Sequence, residues 1–246
     1  MKYLIAILFM FALNVTPASA QLDLRDYVAL GIGPSMIYGD NTGSLSSMNY
    51  RFRPSASLMV NYQLRRRWDV RVTSGVQVLD AGGRVDDMDA ILQWSLDDQA
   101  YDFKGQAYFA DIMPMYQFNP NRGMKDMYNY KVNVYGGIGI GVMHVRREDR
   151  LLLNTVIIPE TGETFIGADA TINRNTTTAY IPLRIGASTN FRRNWDIGAE
   201  ITLMTAMSSD VDGNNIRIKE LHNDMLFQFQ IMVRRYIGRH NPFYWD

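Results

Sequence analysis

The chain has no cysteine, which excludes disulfides and every thiolate metal site, and the expected mature amino terminus therefore offers no thiol to a lipid anchor. It has no surplus of charge: 25 basic residues face 25 acidic ones, so the basic excess that nucleic-acid binding needs is missing. Beyond residue 20 no apolar run is long enough for a membrane-spanning helix. Histidine is scarce. His144, His222 and His240 are the only three, and none sits in a recognisable nucleophile and acid arrangement.

What is present begins with a secretory pattern. Lys2, the apolar run Tyr3 to Val15 and the small residues Ala18, Ser19 and Ala20 read as a cleaved signal peptide over residues 1–20. Its removal leaves 24 basic against 25 acidic residues, a net charge of −1. The remainder suits one barrel or sandwich.

Read in steps of two, that remainder falls into eight alternating segments: Tyr27 to Tyr38, Arg53 to Leu64, Trp68 to Val78, Gln106 to Phe118, Tyr130 to Val145, Ala179 to Phe191, Trp195 to Thr205 and Met225 to Tyr236. In the last, Met225, Phe227, Phe229, Ile231 and Val233 share one face, and Leu226, Gln228, Gln230, Met232 and Arg234 the other. Two architectures give this pattern. A soluble sandwich buries the apolar face, whereas an outer-membrane barrel turns it to lipid and lines its interior with the polar face.

Three features favour the barrel. Aromatic residues collect at one set of strand ends: Tyr62, Trp68, Tyr116, Phe118, Tyr130, Phe191, Trp195 and Tyr236. Short connections, such as Arg65 to Arg67 and Arg192 to Asn194, alternate with long ones, such as Leu79 to Gly105 and Arg146 to Thr178. An even strand count returns both termini to the short-turn side. The expected fold is all-β: an eight-stranded antiparallel transmembrane up-and-down barrel over residues 21–236, with a periplasmic tail over 237–246.

The alternation puts Asp69, Arg71, Asp111, Lys131, Arg184, Asp196, Glu200 and Arg234 inside, four charges of each sign. Eight strands enclose just enough room for side chains, so these charges are expected to pair across a filled polar lumen. That expectation argues against a porin.

"YGGIGIGV", Tyr135 to Val142, looks like a phosphate loop, but Ile138, Ile140 and Val142 carry the strand period through the glycines and no helix follows. Gly137, Gly139 and Gly141 are expected to face inward and leave room for bulkier groups. "DVDGNN", Asp210 to Asn215, has calcium-loop spacing at Asp210, Asp212 and Asn214, yet position twelve is Leu221; it reads as a polar outer turn. No cofactor or metal ligand set is expected. "VDDMDAILQWSLDD" is acidic and has a helical spacing of Met88, Ile91, Leu92 and Trp94, and the third long loop is expected to be a hairpin extending strands five and six.

The short-turn end is basic, with Arg65, Arg66, Arg67, Arg122, Lys125, Arg192, Arg193, Arg235 and Arg239, and the tail "IGRHNPFYWD" is aromatic. "LRRRWDV" at Leu64 to Val70 recurs as "FRRNWDI" at Phe191 to Ile197, one turn design used twice. Arg65, Arg66, Arg67, Arg192, Arg193, Phe243, Tyr244 and Trp245 are candidate contacts for lipid headgroups or a periplasmic partner.

"IYGDNTGS", "NYQLRRRWDVRVTSGVQVLDAGG", "FADIMPMYQFNP", "VYGGIGIGVMHV", "AYIPLRIGASTNFRRNWDIGAEITLMTAMSSDVDG" and the final strand together resemble the PorG-like outer-membrane barrels of Bacteroidetes, over nearly the whole expected mature chain. The resemblance implies a Gram-negative outer-membrane protein of the type IX secretion machinery, bound to periplasmic partners and carrying no catalytic residues. The expected function is thus a non-enzymatic scaffold or anchor in contact with outer-membrane lipid and protein partners, not nucleic acid. The alternatives are an integrity or adhesion barrel acting through its outer loops, and a lipid-modifying enzyme using His144 or His222.

Overall fold

The computed structural model describes residues 26–40, 51–65, 67–80, 88–119, 132–157, 164–165, 167–189, 195–214 and 223–237; the signal segment and the terminal tail from residue 238 lie outside them. The strands are β1 (Tyr27–Tyr38), β2 (Arg53–Gln63), β3 (Trp68–Asp80), β4 (Asp102–Gln117), β5 (Val132–Ile138), β6 (Ile140–Leu153), β7 (Val156–Ile157), β8 (Thr164–Phe165), β9 (Ala168–Thr189), β10 (Trp195–Ala206) and β11 (Met225–Tyr236). Among the described residues one helix, α1 (Met88–Leu96), lies between β3 and β4.

Each long strand runs antiparallel to its neighbours, and β11 pairs back onto β1, so the sheet closes. β5 and β6 act as one stave: Gly137 opposite Met115 and Ile140 opposite Ile112 keep a single register on β4. The break between them is Gly139, whose N–H donates to the Pro182 carbonyl at 3.0 Å. Proline has no N–H to return, so one rung of that ladder is missing. β7 and β8 form a separate small hairpin at the tip between β6 and β9. Eight staves therefore make the wall.

Its stagger can be followed residue by residue. From Tyr27 the rungs lead to Asn61, Arg71 and Met113, through Gly139 and Pro182 to Met204 and Leu226, and return to β1 at Ile37, ten residues further along. Eight strands with this shear tilt by ~40° and leave a bore only as wide as its side chains.

The wall is apolar outside and polar inside. Leu30, Ile32, Val72, Ile112, Ile140, Ile185, Ile201 and Ile231 are exposed, while Arg71, Thr73, Asp111, Arg184, Glu200, Gln228 and Arg234 are buried. Hydrocarbon is the solvent that favours this inversion, and a closed barrel leaves it no open sheet edge. The fold is an eight-stranded transmembrane barrel.

Three staves run further than their alternation indicates. β4 begins at Asp102 rather than Gln106, β6 continues to Leu153 rather than Val145, and β9 begins at Ala168 rather than Ala179. The cause is compositional: above the apolar band the outward positions become Lys104, Gln106, Arg146, Glu148, Asn173 and Asn175, so the lipid-facing apolar period stops there. These extensions form a three-stranded flap above the band. A smaller correction trims β2 to Gln63, while residues 130–131 before β5 and 190–191 after β9 lie outside the described residues.

Candidate functional site in the barrel lumen and at its two ends

The lumen is built by inward positions of every stave. In the middle, Arg184 on β9 donates from Nη1 and Nη2 to Asp111 on β4 at 2.9 and 2.6 Å, a two-point clamp. The same guanidinium reaches Thr73 and Thr202, and Tyr180 donates its hydroxyl to Asp111 at 2.7 Å. Arg71 on β3 donates to Glu200 on β10 and to the Tyr27 hydroxyl, both at 2.5 Å. Glu200 Oε1 lies 3.5 Å from Arg184, which joins the two groups.

Below them two arginines share two tyrosines. Arg234 stands over Tyr27 and Tyr135 at 4.9 and 4.5 Å, and Arg71 over the same rings at 5.8 and 4.9 Å. Ring faces attract cations most where water is excluded, so Tyr135, fully buried, helps hold Arg234, whose carboxylate partner Asp196 stands off, beside the Glu200-paired Arg71. Asp196 is 4.0 Å from Arg234, and Asp69 accepts from Gln117 at 2.5 Å. Seven of the eight interior charges named from sequence are thus buried in the lumen; Lys131 lies outside the described residues.

The glycines make this filling fit. A Cβ on Gly141 would lie 2.5 Å from the Tyr180 ring, and one on Gly186 2.3 Å from the Tyr135 hydroxyl. Along "YGGIGIGV" the space is taken by the Tyr180 ring at Gly141 and by β4 at Gly137 and Gly139, where a Cβ would meet the Pro114 and Ile112 carbonyls.

At the turn end, Tyr62, Trp68 and Trp195 project outward, Trp68 meets Tyr116 edge-on at 5.1 Å, and Arg67 donates to the Tyr116 hydroxyl at 3.1 Å. Tyr130 and Phe191 lie outside the described residues. Tyr236 departs from the expected girdle: it shares the inward parity of Met232 and Arg234, packs against Tyr27 and donates to Asp196 at 3.3 Å. Arg65, Arg67 and Arg235 are exposed there, and Arg235 stands over the Trp195 ring at 5.5 Å. Arg66, Arg192, Arg193, Phe243, Tyr244 and Trp245 lie outside the described residues.

At the flap end an apolar cluster including Phe103, Phe109, Met143, Tyr180 and Leu226 closes the bore beneath Val211. Residues 207–214 fold into the mouth. Arg147 ties them down, donating to Asp149, to the Asp210 carbonyl at 2.7 Å and to the Asp210 carboxylate at 3.1 Å. Burial holds the Asp149 carboxyl above its usual range, with Arg147 opposing. Asp40, Asp212 and Asp224 converge, each offering an oxygen within 4.8 Å of the others. Carboxylates suit hard cations, but those of Asp212 and Asp224 already accept backbone N–H groups of Asp40, Val211, Asp212 and Asn214. The cluster thus anchors the "DVDGNN" turn. Trp94 of α1 is 2% exposed and Ala100 donates its N–H to the Gly213 carbonyl, which brings the acidic loop onto the same cap.

Sequence reading missed the Arg147, Asp149 and Asp210 group, although Arg147 and Asp149 continue the inward parity of Val145. It also missed the three converging aspartates, which come from two different connections and carry no local pattern. His144 Nδ1 lies 2.8 Å from Thr177 Oγ1 on the outward face; among the described residues no carboxylate bonds to it. His222 lies outside the described residues.

The class that fold and lumen define is a small membrane barrel whose bore is filled by its own side chains. No family model matches the chain, and no curated protein does. Among solved structures it is similar to Ail, the attachment invasion locus protein of Yersinia pestis, in complex with the heparin analogue sucrose octasulfate: 12% identity, TM-score 0.45, 87% of this chain and 99% of that one covered. It is also similar to Neisserial surface protein A (11%, 0.44, 85% and 96%) and to the outer membrane protein OprG of Pseudomonas aeruginosa (10%, 0.43, 89% and 98%).

Proposed function

We propose that this chain, exported by a cleaved signal peptide, sits in a Gram-negative outer membrane as a non-enzymatic anchor or scaffold of an envelope complex, with type IX protein secretion the best fit by resemblance. The observation that carries the reading is the lumen: Arg184, Asp111, Arg71 and Glu200 interlock across it. A bore so filled leaves the protein its two ends and outer wall for function. The exposed Arg65, Arg67 and Arg235 lie at the end where both termini emerge, the periplasmic side of such a barrel.

Affinity purification from outer membranes in mild detergent tests it. A defined set of periplasmic proteins should co-purify, and a double change Arg65→Glu with Arg67→Glu should deplete that set while leaving the barrel inserted. A barrel that purifies alone, or one giving large stable conductance in planar bilayers, overturns the scaffold reading. The flap favours a second reading, an adhesion barrel, because it places polar strands beyond the membrane band; loss of surface binding on deleting Leu151 to Ile172 would support that instead.

A further inference from the structure

β9 outruns its neighbour. β10 ends beside it at Ala206 opposite Tyr180, with a last rung from the Met207 N–H to the Ala179 carbonyl at 2.9 Å. Beyond that point β9 continues from Thr178 back to Ala168, paired with β6 along one edge only. In an antiparallel ladder a residue turns both its backbone groups to one side and its neighbour turns both to the other. Pro182 faces the β5 and β6 stave and Ala179 faces β10, so Asp169, Thr171, Asn173, Asn175 and Thr177 aim their N–H and C=O groups at the open side. Among the described residues no backbone hydrogen bond reaches these groups. The open edge spans about 26 Å at the usual rise.

Such edges are normally blunted by lysine, proline or a bulge. Here there is none: the β6 register runs unbroken from Gly141 opposite Tyr180 to Leu153 opposite Ala168, and Thr171 to Thr178 holds four consecutive-strand threonines at 171, 176, 177 and 178. The other side of the flap is different. Beyond the rung of Asp80 with Lys104, β4 extends only through Phe103 and Asp102, and Tyr101 then turns its N–H to the Arg150 carbonyl.

We infer that the β9 edge from Asp169 to Thr177 receives an extended peptide segment of another protein, which adds to the flap as a strand. A second copy in the same membrane fits poorly: strands tilted by ~40° and related by a two-fold along the membrane normal cross at ~80° instead of running side by side. The flanking side chains state what the incoming segment carries. Its outward residues meet Thr171, Asn173, Asn175 and Thr177, which suit serine or threonine. Its inward residues meet Ile172 and Arg174, and the Arg174 side chain is 37% exposed with Asp149, its carboxylate partner among the described residues, at 4.0 Å. An apolar residue opposite Ile172 and an acidic one opposite Arg174 complete the pattern.

The probe is the antiparallel peptide acetyl-TSTDTITVT-amide, added to the full chain in lipid nanodiscs. Binding should slow hydrogen exchange at Asp169, Thr171, Asn173, Asn175 and Thr177, which exchange fast without peptide, while the amides paired with β6 are slow throughout. N-methylating the peptide at alternate residues on the bonding side should abolish binding. Asn173→Pro with Asn175→Pro removes two open-side N–H groups and no rung to β6, and should weaken binding about tenfold or more. The inference is overturned if the five amides are already protected without peptide, if the peptide fails to bind at millimolar concentration, or if N-methylation changes nothing. None of these outcomes depends on the secretion reading.

Discussion

Arg184 and Arg174 stand ten residues apart on β9 and both point inward, yet they live in different solvents. Arg184 is buried, clamped to Asp111 and within reach of Thr73, Thr202 and Glu200. Arg174 is partly exposed and has one carboxylate at 4.0 Å. The backbone follows suit: from Ala179 to Ser188 β9 is bonded on both sides, and before that, among the described residues, on one. Inside the band, lipid offers no hydrogen bonds and the bore is full of side chains, so every polar group needs a protein partner. Above it, water is a partner, and a strand edge can stay unpaired.

The largest test of this contrast is a pair of truncations. Arg184→Ala leaves Asp111 and Glu200 short of a cation and should cost ~3–5 kcal/mol, while Arg174→Ala should cost under ~1 kcal/mol. Guanidinium unfolding of the barrel in lipid vesicles measures both, and equal losses would break the comparison. Next, Gly186→Ala sets a methyl group 2.3 Å from the Tyr135 hydroxyl and should cost ~1–3 kcal/mol through forced repacking, against ~0.5 kcal/mol or less for Asn175→Ala on the flap. A neutral Gly186→Ala would mean that Tyr135 is not held between the two arginines.

The smallest effect is in pH, and within the flap the signs oppose. Burial raises the folded-state pKa of Asp149, so its contribution to stability is greatest at low pH and is lost as pH rises through that value. The hydrogen bond from Arg150 lowers that of Asp169, so its contribution is present above the ordinary carboxylate pKa of about 4 and is lost as pH falls through the lowered value. Carboxyl carbon titrations by NMR should place the two midpoints on opposite sides of the ordinary value; midpoints on the same side would remove the distinction between buried and solvated flap carboxylates.

The same contrast explains what could be read from sequence. Within the band lipid imposes a period of two, so β1 and β11 begin and end where their alternation does, and Arg71, Asp111, Arg184, Glu200 and Arg234 fall on the inner parity. In the flap the outward face meets water instead of lipid, so its positions turn polar beside inward Arg147, Asp149 and Arg174, and the extra lengths of β6 and β9 leave no apolar and polar alternation. The anchors of the mouth are harder still. Asp40 follows β1, Asp212 and Asp224 flank a stretch before β11, and nothing local marks three carboxylates as neighbours. Tyr236 illustrates a subtler slip: its position at a strand end suggests a girdle, but its parity with Arg234 already points inward.

The group of Tyr27, Arg71, Tyr135 and Arg234 also dictates an order of events. Its members sit on the first, third, fifth and last staves, and Tyr27 pairs with Tyr236 across almost the full described chain. No run of neighbouring hairpins can assemble it. The charges of the lumen must therefore stay hydrated while the early staves enter the membrane, and they lose water together when the final strand meets the first. Folding so arranged is limited by one long-range closure rather than by hairpin formation, and a chain stopped before β11 would be left with an open seam and two unsheltered arginines, Arg71 and Arg184.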